Sequence, residues 1–499
     1  MLTRLSIAQI NQGINEKKFS YTELLSEYEN QFKALEVLNV HITQYWDDAK
    51  KQAQQLDQSQ ERKGLLTGIP IAVKDMFLVK GTRTTAASKT LNNFIAPYES
   101  FTTQKFKDQG YLMPFKSNLD EFAMGSSNQT SAFGCVYNPW VLKDRVLRVP
   151  GGSSGGSASA VASYMCVGAT ATDTGGSIRQ PASYCGIVGF KPTYGRCSRR
   201  GVIAFASSLD HPCVMGRTVQ DACIMTQTMA GYDPMDSTSL NKEVPDWISL
   251  PANVKGKKIG VVSQEFDGMC EEYKAHYNNL IENLKKEGAI IKEINMPSFE
   301  MALKLYYIIA PAEAASNLSR YDGLRYGNRR EGDDWLTILQ NSRDMFGDEV
   351  KRRILIGNFV LYSDEYDSFF GKALKLRAQI RKVMHDLFQE IDVVMLPTTA
   401  SVAFPIGKAV SAVDMYKEDL YTIIGNMYGG PAISLPLCKL KGFEEKDGKV
   451  CSEEFDCLKS QDALPIGIQL MANVEDESNL LQIAKKIEAI VEWKGWENV

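Results

Sequence analysis

Short apolar runs bounded by glycine or proline alternate along this chain with amphipathic helical stretches, and that alternation limits the folds open to it. KKIGVVSQEF (257–266) reads as a strand, Glu271–Glu287 as a helix, and AIIKEINMP (289–297) as a second strand. Leu376–Phe388 is a helix feeding the buried run IDVVMLP (391–397). PIGIQLM (465–471) is another strand, and Ser478–Trp493 closes the pattern as an amphipathic helix. Helix and apolar strand in alternation predict an α/β fold around a mixed, largely buried sheet. Closer to the start, GIPIAVKDMFLVKG (68–81) is a buried strand candidate. SASAVASYMC (157–166) is a small-residue helix that can pack closely. Lys441–Gln461 is polar and reads as a surface insertion.

Residues 1–60 read as a helical segment packed on the core. Leu2, Leu5, Ile7, Ile10 and Ile14 fall on one side of the first helix. Ser20–Leu35 is the second, with Ser20 and Glu23 spaced as a capping box. The first residues lack the apolar core of a signal peptide, and acidic residues follow early, which argues against a transit peptide. No apolar run reaches membrane-spanning length. The expectation is a cytoplasmic protein, of a bacterium before an organelle.

A length of 499 residues points by itself to about three domains. The formal charge of -4 argues against a chain that holds nucleic acid by its overall field. The ten cysteines form no CxxC pair and lie mostly among apolar or small residues, as buried free thiols do in a reducing compartment. Only four histidines are present, His41, His211, His276 and His385, and they do not cluster. No metal site is expected.

From Asp120 to Arg217 the chain is rich in glycine, serine and alanine, most densely in PGGSSGGSAS (150–159). A phosphate-binding loop would need a lysine after its glycines, and none follows. Gly151–Gly155 does match G-x-S-x-G, the short nucleophile-elbow pattern, and a tight structural turn is equally open to it. A second Gly-Gly-Ser ends at Ser177, inside TATDTGGSIRQPASYCGIVGFKPTYG (170–195). Upstream, Lys74 closes the apolar run Ile69–Val73. A lysine at the end of a buried strand is partly desolvated, which lowers its pKa and lets the neutral amine act as a base. A hydroxyl needs such a base to attack an amide. The alternative for Lys74 is a snorkelling surface lysine.

These contexts, GIPIAVKD, PGGSSGGSAS and DTGGSIRQPASYCGIVGFKPTYG, resemble the amidase signature family, and the likeness runs from about residue 5 to the end of the chain. The resemblance implies one large α/β domain over residues 61–499, its mixed central sheet covered by helices on both faces. It also implies a Ser-cisSer-Lys triad. Ser177 would be the acyl-forming nucleophile, Ser153 the proton carrier and Lys74 the terminal base, with the cis peptide expected at the Ser153-Ser154 junction. The backbone N–H groups of Thr174, Gly175, Gly176 and Ser177 would form the oxyanion hole.

Four further blocks lie outside the shared core: NLDEFAMGSSNQTSAFG (118–134), YYIIAPAEAASNLSRYDGLRYG (306–327), GDEVKRRILIGNFVLYS (347–363) and MYKEDLYTIIGNMYGGPAISLP (415–436). They are similar to the glutamine-hydrolysing subunits of the tRNA-dependent amidotransferases. That likeness implies glutamine as substrate, with Arg353 and Asp419 on its α-carboxylate and α-ammonium and Tyr306 beside them. A bidentate arginine suits a carboxylate. Arg352 and Tyr307 are rivals by one position. Also implied are B and C partner subunits in a heterotrimer. ATP and Mg²⁺ would be used in the B subunit, which also handles most of the mischarged tRNA, and no cofactor is expected in this chain. A stand-alone amidase of the same family is the alternative, and a degenerate amidase kept as a structural subunit is a third reading.

Two segments depart from the subfamily pattern. Where it commonly continues Ser-Ser-Leu-Asp-Gln, with Gly-Pro shortly after, this chain has His211-Pro212-Cys213-Val214-Met215-Gly216. Pro114-Phe115 replaces a small pair, which is expected to distort that strand end.

Overall fold

The computed structural model describes the chain except residues 60, 263–268, 408–417, 446 and 496–499. The strand expected at 257–266 therefore lies partly outside the described residues, as does the start of the block at 415.

Eleven strands form one mixed sheet. In chain order the strands are β1 (His41–Gln44), β2 (Ile71–Lys74), β3 (Phe115–Ser117), β4 (Val141–Leu142), β5 (Gly168–Asp173), β6 (Val188–Lys191), β7 (His211–Gly216), β8 (Lys258–Val261), β9 (Ile290–Glu293), β10 (Val393–Pro397), β11 (Ala432–Leu440), β12 (Ser460–Gln461) and β13 (Leu464–Ala472). Across the large sheet they run β1-β3-β2-β5-β7-β6-β11-β13-β10-β8-β9, while β12 and β4 pair separately. β2 is parallel to both β3 and β5, and β8 to β9 and β10. The centre, from β5 through β7, β6, β11 and β13 to β10, is antiparallel.

The helices are α1 (Ile7–Asn15), α2 (Tyr21–Ala34), α3 (Trp46–Ser59), α4 (Phe101–Asp108), α5 (Gly155–Ala162), α6 (Arg179–Cys185), α7 (Val219–Met229), α8 (Glu271–Lys286), α9 (Phe299–Leu318), α10 (Trp335–Arg343), α11 (Asp348–Val360), α12 (Lys372–Leu387), α13 (Ile423–Tyr428) and α14 (Glu477–Val491). They cover both faces of the sheet. Side chains alternate across a strand. Along β10, Val393 and Met395 join one core with α1, α2, α7, α8 and α14, whereas Val394 and Leu396 join a second with α9, α11 and α12. No helix among the described residues is long and apolar enough to cross a membrane.

Local chemistry sets the helix ends. Ser20 caps α2, its hydroxyl accepting from Glu23 N–H while the Glu23 carboxylate accepts from Ser20 N–H, the reciprocal pair expected from the sequence. The small-residue helix differs from expectation. α5 starts two residues earlier, at Gly155, and stops at Ala162, because Tyr164 takes a left-handed φ of 61° that no helix continues through. The expected distortion at Pro114-Phe115 is absent. Phe115 is buried against Phe32 and Trp46 and begins β3, whose Lys116 and Ser117 stay in register with Val73 and Lys74. Proline there costs nothing, since it precedes the paired residues and its carbonyl accepts from Tyr45 N–H. Segment 441–461 is largely exposed, pinned by buried Phe455 and Leu458, whose carbonyls accept from Arg145. Cys166, Cys185, Cys197, Cys213, Cys223 and Cys438 are buried free thiols.

Candidate active site

The parallel strands β2 and β5 end side by side, at Lys74 and Asp173, and the segments leaving them carry the candidate residues. Ligands of α/β sheets collect beyond such carboxyl ends. Lys74 is wholly buried, so it is not a snorkelling lysine. Its Nζ donates to Ser154 Oγ at 2.7 Å, Thr172 Oγ1 at 2.8 Å and Ser153 Oγ at 3.0 Å. Burial lowers its pKa to about 7, against the opposing pull of the Asp120 and Asp173 charges. Three hydroxyl oxygens match the three N–H bonds of an ammonium. The neutral amine instead has a lone pair that must accept a hydroxyl proton. Ser154 already donates its proton to the Thr172 carbonyl at 3.3 Å. Among the described residues the Ser153 hydroxyl donates to no other group, which leaves it as the natural proton donor to Lys74.

The cis peptide lies between Gly152 and Ser153, one bond earlier than the expected Ser153-Ser154 junction. Gly152 makes room for a neighbour: a Cβ there would fall 2.0 Å from Asp120 Oδ2. Ser153 is held from behind, its carbonyl accepting from Asp120 N–H at 3.1 Å.

Ser177 lies in the turn between β5 and α6. Asp173 organises that turn. Its carboxylate takes a two-bond grip from Arg179, with Nε at 3.0 Å and Nη2 at 2.9 Å, and also accepts from Asn426 at 2.8 Å and Gly176 N–H at 2.9 Å. Thr422 Oγ1 donates to the Gly175 carbonyl at 2.6 Å, and Thr174 Oγ1 to Asp210 at 2.7 Å. Of the four N–H groups expected to face an oxyanion, that of Gly176 is therefore already committed to Asp173. Those of Thr174, Gly175 and Ser177 donate to no group among the described residues. Ser154 N–H meets the Ser177 carbonyl at 3.3 Å, which sets the two serine segments against each other. The Ser177 hydroxyl makes no hydrogen bond among the described residues, so the Lys74–Ser153 contact is formed and a Ser153–Ser177 contact is not.

Beside this turn is a second group of residues. Tyr306, on α9, packs its ring on Gly175, where a Cβ would lie 2.7 Å from Cζ. Arg353, on α11, is buried, whereas the Arg352 side chain is half exposed and paired outward with Glu349. Arg353 Nε donates to Glu349 at 2.8 Å, and its guanidinium stands 5.5 Å from the ring centroids of Phe205 and Tyr307. Asp419 is buried and accepts from Ser126 Oγ. Burial raises its pKa to about 7, with the Ser126 hydrogen bond and the Arg353 charge pulling it down. The charges of Arg353 and Asp419 act in opposite directions on Tyr306, so the three share one field.

Sequence reading missed the supports: Ser126 on Asp419, and Asp173, Arg179, Thr422 and Asn426 around the turn that carries Ser177. One signal was present, an aspartate and an arginine flanking the Thr174–Ile178 turn at either end. The departing segment forms β7 in full register with β5, His211 opposite Asp173. The His211 Nδ1–H donates to the carbonyls of Leu209 at 2.6 Å and Asp173 at 3.1 Å, a tautomer set by those acceptors. Burial, with the Lys191 charge, keeps this ring neutral. No cluster of three metal-ligating side chains occurs among the described residues.

The chain belongs to the amidase family, whose model matches residues 23–481. Its curated relatives include the glutamyl-tRNA(Gln) amidotransferase A subunit of Microcystis aeruginosa, 45% identical over 98% of this chain and 98% of the relative. That of Xanthobacter autotrophicus is 44% identical over 98% and 96%. The crystal structure of the glutamyl-tRNA(Gln) amidotransferase A subunit from Thermotoga maritima superposes with a TM-score of 0.76 at 34% identity, covering 98% of this chain and 95% of that one.

Proposed function

We propose that this chain is the glutamine-hydrolysing subunit of a cytoplasmic tRNA-dependent amidotransferase. The observation that carries the reading is a two-part site. A buried lysine of lowered pKa touches Ser153 beside the Gly175–Ser177 turn, and the buried, oppositely charged Arg353 and Asp419 act electrostatically on each other and on Tyr306, whose ring packs on Gly175. A free amino acid carries both charges close to its side-chain amide, and this arrangement complements it. The names and near full-length identity of the relatives support the same reading.

In this reading the Ser177 Oγ attacks the side-chain amide carbon of glutamine. Its proton passes through Ser153 to neutral Lys74. The N–H groups of Thr174, Gly175 and Ser177 receive the developing oxyanion; one such donor is typically worth about 10²–10³ in turnover. The C–N bond then breaks, the leaving nitrogen takes the proton and departs as ammonia, and water hydrolyses the γ-glutamyl ester to glutamate. Ammonia goes to a B subunit, which with ATP and Mg²⁺ converts Glu-tRNA(Gln) or Asp-tRNA(Asn) to the amide, and a C subunit completes the heterotrimer.

Purified with co-expressed partners, the chain should release glutamate from glutamine, and an electrophilic glutamine analogue should leave an adduct on Ser177. An adduct elsewhere, or none, rejects the triad. Arg353→Ala should cut kcat/KM for glutamine roughly a hundredfold and spare a simple amide. Equal loss on both substrates favours the stand-alone amidase.

A further inference from the structure

Glu121 is buried and takes no part in the chemistry above. It opens the one-turn helix Glu121–Ala123, between Asp120, which backs Ser153, and Ser126, which holds Asp419. One carboxylate oxygen accepts from the Ser88 hydroxyl and the other from Gly347 N–H at 2.8 Å. Gly347 is the N-cap of α11 and has no side chain with which to satisfy the first turn. Glu121 takes up the N–H of the N-cap residue itself, one of the orphan donors at this helix end, from a distant part of the chain. A Cβ on Gly347 would lie 2.4 Å from Glu121 Oε2, so only glycine lets the carboxylate come so near. The positive end of the helix dipole favours an acceptor at this position. Farther along the same helix is Arg353, whose Nε is held by Glu349 in the first turn. Glu121 therefore ties the wall bearing Ser126 and Asp419 to the helix bearing Arg353.

We propose that Glu121 is a positioning residue for the amino-acid pocket, its carboxylate fixing the first turn of α11 and hence the span between Arg353 and Asp419. This rests on the glutamine reading above, because that substrate's two charges have a fixed separation that the span must match. Loosening the clamp weakens the grip on the zwitterion and leaves the Ser177 chemistry intact. Burial raises the Glu121 pKa to about 7, so the neutral acid is well populated near pH 7. A neutral glutamine is a fair mimic of it: the amide oxygen accepts from Gly347 N–H, and the amide N–H donates to Ser88.

The test uses the full chain co-purified with its partners. Glu121→Ala should raise KM for glutamine roughly tenfold with kcat within about twofold, leave a simple amide unaffected, and be rescued by Glu121→Gln. Gly347→Ala, which displaces the carboxylate from the other side, should raise KM in the same way if Glu121→Ala folds poorly. Amide hydrogen exchange over residues 347–353 should speed up in Glu121→Ala and not in Glu121→Gln. Unchanged KM and unchanged exchange in both alanine variants overturn the proposal, as does failure of Glu121→Gln to rescue. Equal loss of kcat on both substrates also overturns it. If the wild-type chain hydrolyses no glutamine, the functional reading falls, and the exchange result alone decides whether the clamp exists.

Discussion

Gly175 and Tyr306 compete for the same space: the ring of Tyr306 occupies the volume that any side chain at Gly175 would fill, with Cζ 2.7 Å and Cε2 2.8 Å from the missing Cβ. The second glycine pair thus does more than free backbone N–H groups. It lets an aromatic wall close on the turn that presents them. Gly175→Ala must push Tyr306 away or shift the turn, and overpacking of this kind costs about 1–3 kcal/mol. The expected result is a fall of roughly 10- to 100-fold in kcat/KM for glutamine with the fold retained, read from steady-state kinetics beside a melting curve.

Lys74 touches Ser153 and Ser154 almost equally, yet the two hydroxyls are not equivalent. Ser154 donates its proton to the Thr172 carbonyl, and Ser153 keeps its own for the lysine. Ser153→Ala should therefore lower kcat by roughly 10³ or more, whereas Ser154→Ala removes only a hydrogen-bond partner of Lys74 and should cost about tenfold. Ser177→Ala should be inactive. Similar losses at 153 and 154 would mean that either serine can relay the proton.

The rate should rise with pH. Lys74 must be neutral to act as a base, and burial places its pKa at about 7. Asp419 must be ionised to hold an ammonium, and burial places its pKa at about 7 as well. Both groups must lose a proton in the free protein, so kcat/KM should climb with a slope approaching two on the acid side. With substrate bound Asp419 stays ionised, and kcat should follow Lys74 alone with a slope of one. Asp419→Asn should reduce the first slope to one. A pH-independent kcat between 6 and 8 would contradict Lys74 as the base.

The alternation of strand and helix made the layered sheet legible, since Val393–Pro397 and Leu464–Ala472 are apolar runs of strand length. The limits of α5 were not legible, because a left-handed Tyr164 carries no local signal as a glycine would. Ser153 and Ser177 stood out through their glycine contexts and Lys74 through its place at the end of an apolar run, while their joint roles came from the family resemblance. Ser126, Thr422 and Asn426 did not, because each acts through hydrogen bonds to partners more than two hundred residues away in sequence. The choice of Arg353 over Arg352 was likewise closed to a linear reading of Lys-Arg-Arg. It depends on which side of α11 faces α9, and adjacent residues on a helix diverge by about 100°.

The Asp173–Arg179 pair carries the last prediction. Both side chains are wholly buried, and Arg179 also donates to the Thr422 carbonyl, Gln469 and Asn426. Burial alone would raise the Asp173 pKa. The charge and hydrogen bonds of Arg179, helped by the Lys191 charge, outweigh it and hold the group well below its ordinary 3.8. A carboxyl group depressed in the folded state stabilises the protein above its unfolded pKa, and that stability drains away as pH falls below about 4 toward the folded value. Asp173→Asn keeps the shape but leaves a buried guanidinium without its counter-charge, a change that typically costs about 3–5 kcal/mol. The variant should melt well below the wild type at pH 7, and the gap should narrow as both are acidified below pH 4. It should also lose activity beyond what instability explains, because the amide NH₂ that replaces one oxygen accepts no hydrogen bond, which strips the acceptor either from Arg179 Nε or from Arg179 Nη2 and Gly176 N–H together. An equal melting temperature at pH 7 would mean that Gln469, Asn426 and the Thr422 carbonyl satisfy Arg179 without the aspartate.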